Sequence, residues 1–237
     1  MRPKVIAFPF AGGNKYSFQP LKTELRKGGV DMIVLELPGR GARVRESFLD
    51  NMEVIVEDVF QRTVQESEGE YLLYGHSMGG LIGYLVCQRL EQEFRSLPSK
   101  LIVSGIGAPG KHSIDRYHDL PRGEFWQKVG ELGGVPQDIL LDTQLMDIFE
   151  PVLRSDFKAI EGYKYVPVQP LITSIDVFHG TEESLASEEI VGWHDESSGQ
   201  VTIRELSGGH FFILDHYPYL AQHMTETLQT LQTSFYV

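Results

Sequence analysis

One hexapeptide constrains this chain more than any other stretch. Gly75-His76-Ser77-Met78-Gly79-Gly80 lies between the apolar run Tyr71-Leu72-Leu73-Tyr74 and an apolar helical pattern at Leu81, Tyr84, Leu85 and Leu90. It is a G-x-S-x-G sequence in a strand, sharp turn, helix context. So tight a turn forces its central residue into strained backbone, and side chains two residues to either side would collide with the neighbouring strand and helix. Gly75 and Gly79 remove those side chains. Ser77 is then held out at a helix N-terminus, where the helix dipole favours a developing negative charge. With few polar residues before Gln88, the helix itself reads as buried.

A buried strand and helix joined this way need a layered fold around them. Strand-like runs at Lys4–Phe8, Met32–Leu37, Tyr71–Tyr74, Leu101–Ser104, Ser174–Phe178 and Val201–Leu206 alternate with helical patterns. Met52, Ile55, Val59 and Phe60 follow a capping Asn51, and Leu220, Met224, Leu228 and Leu231 follow Pro218, which reads as a first-turn proline. That alternation predicts an α/β fold, a mostly parallel central sheet flanked by helices. From His112 to Tyr165 no strand pattern occurs, while Phe125, Val129 and Leu132, then Leu145, Phe149 and Val152, give two helical stripes around Gly133-Gly134-Val135-Pro136. Residues 112–165 therefore read as a helical lid inserted between core strands of a single domain spanning 1–237, because long structureless loops are uncommon in compact domains.

Composition excludes several classes. With 21 basic and 33 acidic residues the net charge is −12, so nucleic-acid binding through a broad basic surface and attraction to an anionic membrane are both disfavoured. Cys87 is the lone cysteine of 237 residues, which leaves no intrachain disulfide and no cysteine-based zinc site, and fits a reducing, cytoplasmic setting. The longest nearly apolar stretch, Tyr71 to Cys87, is broken by His76, Ser77 and four glycines and does not read as a membrane span.

A serine hydroxyl is a poor nucleophile unless a base takes its proton, so Ser77 demands a histidine and a carboxylate to orient it, in the chain order serine, acid, histidine. Of eight histidines, His210 is placed for this: Ser207-Gly208-Gly209-His210 lies between the last strand and the last helix. His76 sits on the turn itself, His112 and His118 fall at the lid entrance, and His216 and His223 read as solvent-facing. Two adjacent carboxylates, Glu182 and Glu183, compete for the acid role, while Asp176 lies inside a strand. The N–H of Met78, directly after the serine, and that of Ala11, in Phe8-Pro9-Phe10-Ala11-Gly12-Gly13 after the first strand, are the candidate oxyanion donors. Gly105-Ile106-Gly107-Ala108-Pro109-Gly110 matches a dinucleotide-binding spacing, but it opens no apolar helix, and no acidic residue ends a strand about 20 positions on.

Over nearly its whole length the chain resembles the type II, external editing thioesterases of nonribosomal peptide and polyketide synthesis. Five further segments carry the resemblance beside the serine turn: the Phe8 to Gly13 run, Leu37-Pro38-Gly39-Arg40-Gly41, Leu132-Gly133-Gly134-Val135-Pro136, Leu153-Arg154-Ser155-Asp156-Phe157 and Gly208-Gly209-His210-Phe211-Phe212. It implies an α/β-hydrolase core with a mobile helical lid, and hydrolysis of acyl thioesters held on the phosphopantetheine arm of a carrier protein. It also implies no metal and no bound cofactor. By position it assigns Ser77 as nucleophile, His210 as base and Glu183 as acid, where the family usually has Asp, with Met78 and Ala11 at the oxyanion. Phe125, Trp126, Phe149 and Phe157 are candidates for an acyl channel, and Arg40, Arg43 and Arg45 for docking a carrier protein, which in this class tends to be acidic. A monomer is the default. The rival readings are a general carboxylesterase acting on free esters and a non-catalytic binding module on a hydrolase fold.

Overall fold

The computed structural model describes residues 2–111 and 116–234, with side chains up to residue 230. Six strands, β1 Lys4–Phe8, β2 Asp31–Val34, β3 Tyr71–His76, β4 Lys100–Ser104, β5 Ile175–Gly180 and β6 Val201–Leu206, form one sheet in the order β2-β1-β3-β4-β5-β6. Every neighbouring pair runs parallel. A parallel sheet must be covered on both faces, and successive strand residues here serve opposite layers. Ile6, Phe8, Leu73, Leu101, Val103 and Val177 join one core, while Val5, Ala7, Leu72, Tyr74, Ile102 and Phe178 join the other. Helices α2 Met52–Glu66 and α3 Met78–Gln92 pack on the first face, and α1 Gln19–Lys27 and α8 Ile213–Ser234 on the second. A single turn and a half, α7 Ser187–Val191, lies between β5 and β6.

All six expected strands are present, β1 and β6 with the expected bounds and the other four with shifted ends. β2 stops at Val34 rather than Leu37, because the chain turns off the sheet at Glu36, whose buried carboxylate accepts the N–H groups of Lys15 and Ala42. β3 and β5 run longer than expected, so ladder pairing continues to His76 and Gly180 at the lip of the site. Asn51 caps α2 as expected, its Oδ1 accepting Val54 N–H at 3.0 Å. Pro218 is not in a first turn. α8 begins five residues earlier, at Ile213, and the proline lies inside the helix, where buried Tyr217, Leu220, Met224 and Leu228 hold that helix to the sheet. The side chain of Leu231 lies outside the described residues.

Between β4 and β5 stand three helices, α4 Arg122–Leu132, α5 Gln137–Leu141 and α6 Thr143–Gly162. α4 ends on Gly133 in the left-handed region (φ 82°), a glycine stop, and Asp142 caps α6 through the N–H groups of Gln144 and Leu145. His112, the first residue of the expected lid, lies outside the described residues.

The strand order places the site. From β1 the chain moves to β2 on one side, and β3 then lies on the other, so the loops leaving β1 and β3 diverge and open a crevice at the carboxyl end of the sheet.

Candidate active site

Ser77 sits at that crevice, between the end of β3 and the first residue of α3, with φ 54° and ψ −124°. It is one of two non-glycine residues at positive φ among those described, a strained conformation that surroundings must enforce. They do so from both sides. A Cβ at Gly75 would run into the carbonyl of Gly79, and one at Gly79 into the carbonyl of Phe8 on β1. The Ser77 N–H is held by the carbonyl of Ser104 at the end of β4 (2.7 Å).

Two strand ends supply the rest. His210 follows β6 and lies with Nε2 3.1 Å from Ser77 Oγ. Its Nδ1 lies 2.7 Å from Oε1 of Glu183, in the loop after β5. The Glu183 side chain is 3% exposed and His210 is 21% exposed. Glu183 folds back on its own turn, where Oε2 accepts the Gly180 N–H at 2.7 Å, and this bend absorbs the methylene by which Glu exceeds Asp. The two loops are zipped together by Glu182 N–H to the Gly208 carbonyl (3.0 Å), and a Cβ at Gly180 would strike that same carbonyl. Glu182 itself is exposed.

His76 forms the floor beneath His210, ring centroids 5.1 Å apart, packed also against Phe10, Phe211 and Phe212. Its Nδ1 meets Ser104 Oγ at 3.0 Å, and Tyr74 Oη is 3.2 Å from the same oxygen. Burial, reinforced by nearby His210, pushes its pKa well below the ordinary histidine value, so this second imidazole stays neutral. Nothing in the local sequence assigns it this supporting place.

Other histidine and acid expectations sort clearly. Asp176 is fully buried away from the site, with His223 Nε2 2.6 Å from one carboxylate oxygen and Lys100 donating at 3.1 Å. Burial raises its pKa, but these two partners outweigh that and hold it below the ordinary carboxylate value. His223 was expected to face solvent; it is half-buried because it answers this charge. His216 is also half-buried, its Nε2 3.0 Å from the Ser207 carbonyl. His118 pairs with Glu161 at the lid base.

The expected basic cluster does not form. Arg40 is 6% exposed and makes a bidentate pair with Asp156 of α6, at 2.5 and 2.7 Å. Arg43 is shared between Glu46 and Asp58, whose hydrogen bonds raise its pKa above the ordinary value despite partial burial. Arg45 alone is exposed. The residue spacing showed three arginines close in sequence but not the acids that fold onto two of them.

Above Ser77 and His210 opens a cavity of about 410 Å³, walled by lid and loop residues that include Leu132, Val135, Ile139, Phe149, Leu153 and Phe157. Of the four aromatic channel candidates it takes Phe149 and Phe157. Phe125 is fully buried against Phe157 and beneath Arg154, and Trp126 donates its indole N–H to Glu150, so both face the lid's own core. Among the described residues no Asp, Glu, Lys or Arg lines the cavity. None of the described helices is long and apolar enough to cross a membrane.

Known proteins resemble the chain over nearly its whole length. The thioesterase domain model matches residues 3–228. The chain is 30% identical over 227 residues to the thioesterase PikA5 of Streptomyces venezuelae, covering 95% of this chain and 80% of that protein. It is 28% identical over 214 residues to a probable cadicidin biosynthesis thioesterase of Streptomyces griseus, covering 90% of this chain but only 59% of that longer protein. Among solved structures, the RedJ thioesterase of the prodiginine pathway in Streptomyces coelicolor superposes with a TM-score of 0.88 at 31% identity, covering 95% of this chain and 85% of that one. The type II thioesterase BorB of the borrelidin cluster gives 0.88 at 26% identity, covering 96% and 93%. With a family match across nearly its whole length, on an α/β-hydrolase fold, the chain belongs to the thioesterase domain family, enzymes that hydrolyse acyl thioesters.

Proposed function

We propose that the chain is an editing thioesterase that removes acyl groups from the phosphopantetheine arm of carrier proteins in nonribosomal peptide or polyketide synthesis. The observation that carries the mechanism is the unbroken contact chain from Ser77 Oγ through His210 to Glu183 at the foot of an apolar cavity. His210 Nε2 takes the Ser77 proton as Oγ attacks the thioester carbonyl. The tetrahedral oxyanion rests on the Met78 and Ala11 N–H groups, and Glu183 stabilises the imidazolium. The intermediate collapses by breaking the carbon–sulfur bond, with His210 returning the proton to the leaving pantetheine sulfur. Water, deprotonated by His210, then attacks the acyl-Ser77 ester, and the second intermediate collapses by breaking the carbon–Oγ bond, His210 returning the proton to Ser77 Oγ as the free acid leaves.

The lining supports a narrower substrate class, uncharged apolar acyl groups. An aminoacyl ammonium inside this wall finds no carboxylate, and an unpaired buried charge costs several kcal/mol. Ser77→Ala is expected to lower turnover of an acyl carrier protein by at least about 10³-fold. An apolar acyl group should be released faster than an aminoacyl group of equal length. Undiminished hydrolysis by the Ser77 variant overturns the mechanism, and an oxygen ester turned over as fast as the carrier thioester overturns the substrate assignment.

A further inference from the structure

We propose that the buried Arg40–Asp156 pair is a positioning device for the oxyanion loop, and that through it the seat of lid helix α6 becomes part of the reacting geometry. The inference rests on the reading of Ala11 N–H as an oxyanion donor.

The residues from Phe10 to Gly13 form a tight turn closed by Gly13 N–H to the Phe10 carbonyl at 2.8 Å, with Gly12 at φ 77° in its third position. That left-handed third residue is the mark of a type II turn, in which the peptide between the second and third residues can flip to the type I form. Here that peptide is pinned. The Gly12 N–H donates to Asp156 Oδ2 at 2.7 Å. A flip would turn the Ala11 carbonyl oxygen onto a carboxylate, so Asp156 selects one turn form and holds in place the turn whose first peptide carries the Ala11 N–H.

α6 touches the turn twice from one face. Leu153, three residues before Asp156 and so on the same side of the helix, fills the space a Cβ on Gly12 would need. Arg40 completes the clamp. Besides both Asp156 oxygens it donates to the Gly13 carbonyl at 3.3 Å and the Pro38 carbonyl at 3.4 Å, tying the loop after β2 to the turn. It also neutralises Asp156, a charge that would otherwise oppose an oxyanion forming on the other side of the same loop. Asp156 is fully buried and Arg40 nearly so, far more than a surface pair holding the lid down requires.

The obvious single change, Asp156→Ala, strands a buried arginine and tests folding rather than positioning. Two double variants that leave no buried unpaired charge isolate the Gly12 contact. Arg40→Met with Asp156→Leu removes the acceptor of the Gly12 N–H, whereas Arg40→Met with Asp156→Asn keeps an oxygen there. The Leu pair is expected to lower kcat about 10- to 100-fold with KM within about twofold, the pattern of an interaction made only in the transition state. The Asn pair should recover kcat to within about threefold of the unaltered enzyme. Affinity for a trifluoromethyl ketone analogue, which forms a tetrahedral oxyanion on the serine, should fall in step with kcat/KM in the Leu pair. Binding of a thioether analogue of the substrate should not change. Equal kcat for the two double variants, whatever their melting temperatures, overturns the proposal. Ser77→Ala run alongside separates the cases: if it still turns over, the underlying active-site reading has failed, and if it is inactive while the Leu pair is not, the clamp alone has.

Discussion

The strain at Ser77 and the fold-back of Glu183 are the two residue-level features on which the proposed chemistry depends. Ser77 occupies a backbone conformation that only its two flanking glycines and the Ser104 carbonyl make tolerable, and this was legible in the sequence because a steric requirement leaves glycine at fixed positions. The acid was not legible from the residues. Glu182 and Glu183 are chemically identical neighbours, and what separates them is the Gly180 N–H, which captures Glu183 and turns its carboxylate toward His210 Nδ1. Such a contact belongs to the turn made by two zipped loops, not to a sequence pattern. Glu183→Gln presents an amide in place of a charged acceptor, so the imidazolium loses its stabilising partner and one of the two donors, Gly180 N–H or His210, faces an NH₂ group. Turnover is expected to fall about 10²- to 10⁴-fold, while the exposed Glu182→Gln stays within about twofold of the unaltered enzyme. Measured kcat/KM values in the reverse order reassign the acid.

At the scale of elements, helical periodicity reported which faces are buried but not against what. The stripe through Phe125 and Val129 is buried as its spacing predicts, yet Phe125 faces the lid's own core while Val129 reaches the cavity. Phe149 and Phe157 reach it too, from α6. The division depends on how α4 and α6 cross, which their separate sequences do not contain. One small residue brings the lid against the loop that carries His210. Gly134, in the turn between α4 and α5, lies directly on the Phe211 ring, so that a Cβ there would overlap the ring's far edge. Both residues wall the cavity, and Phe211 also packs on His210. Gly134→Val must therefore lift the turn or displace Phe211, and either opens the apolar wall. Losing about 50 Å² of apolar burial for a bound acyl chain corresponds to a little over 1 kcal/mol. KM for a medium-length acyl thioester is expected to rise about tenfold, with an acetyl thioester nearly unaffected. Equal effects on the two chain lengths would show that this turn does not touch the acyl group.

Across the whole molecule, the charge of −12 and the fate of the three arginines bear on the same question, how the carrier protein proposed as partner would approach. The parallel sheet and its flanking helical layers follow from strand-like runs spaced by helical ones, whereas the strand order, and with it the crevice beside β3, is not written in that spacing. The partner surface is where the sequence misled, because charge counted along a chain ignores the acids that fold back. Arg40 is consumed inside the protein, Arg43 is held by Glu46 and Asp58, and Arg45 is left exposed. An acidic carrier thus meets net repulsion with no basic patch built from this segment to offset it. Raising the ionic strength from about 0.01 M to 0.15 M shortens the screening length from about 30 Å to about 8 Å, which weakens long-range repulsion but leaves apolar contact intact. KM for an acyl carrier protein is accordingly expected to fall severalfold over that range at constant kcat, and Arg45→Glu to change it less than about twofold. A neutral N-acetylcysteamine thioester, which carries the acyl group without the carrier, should show no salt dependence, so the effect is assigned to docking rather than to the chemistry. A carrier KM that climbs with salt would mean that attraction dominates and that cations elsewhere on the surface form the docking site.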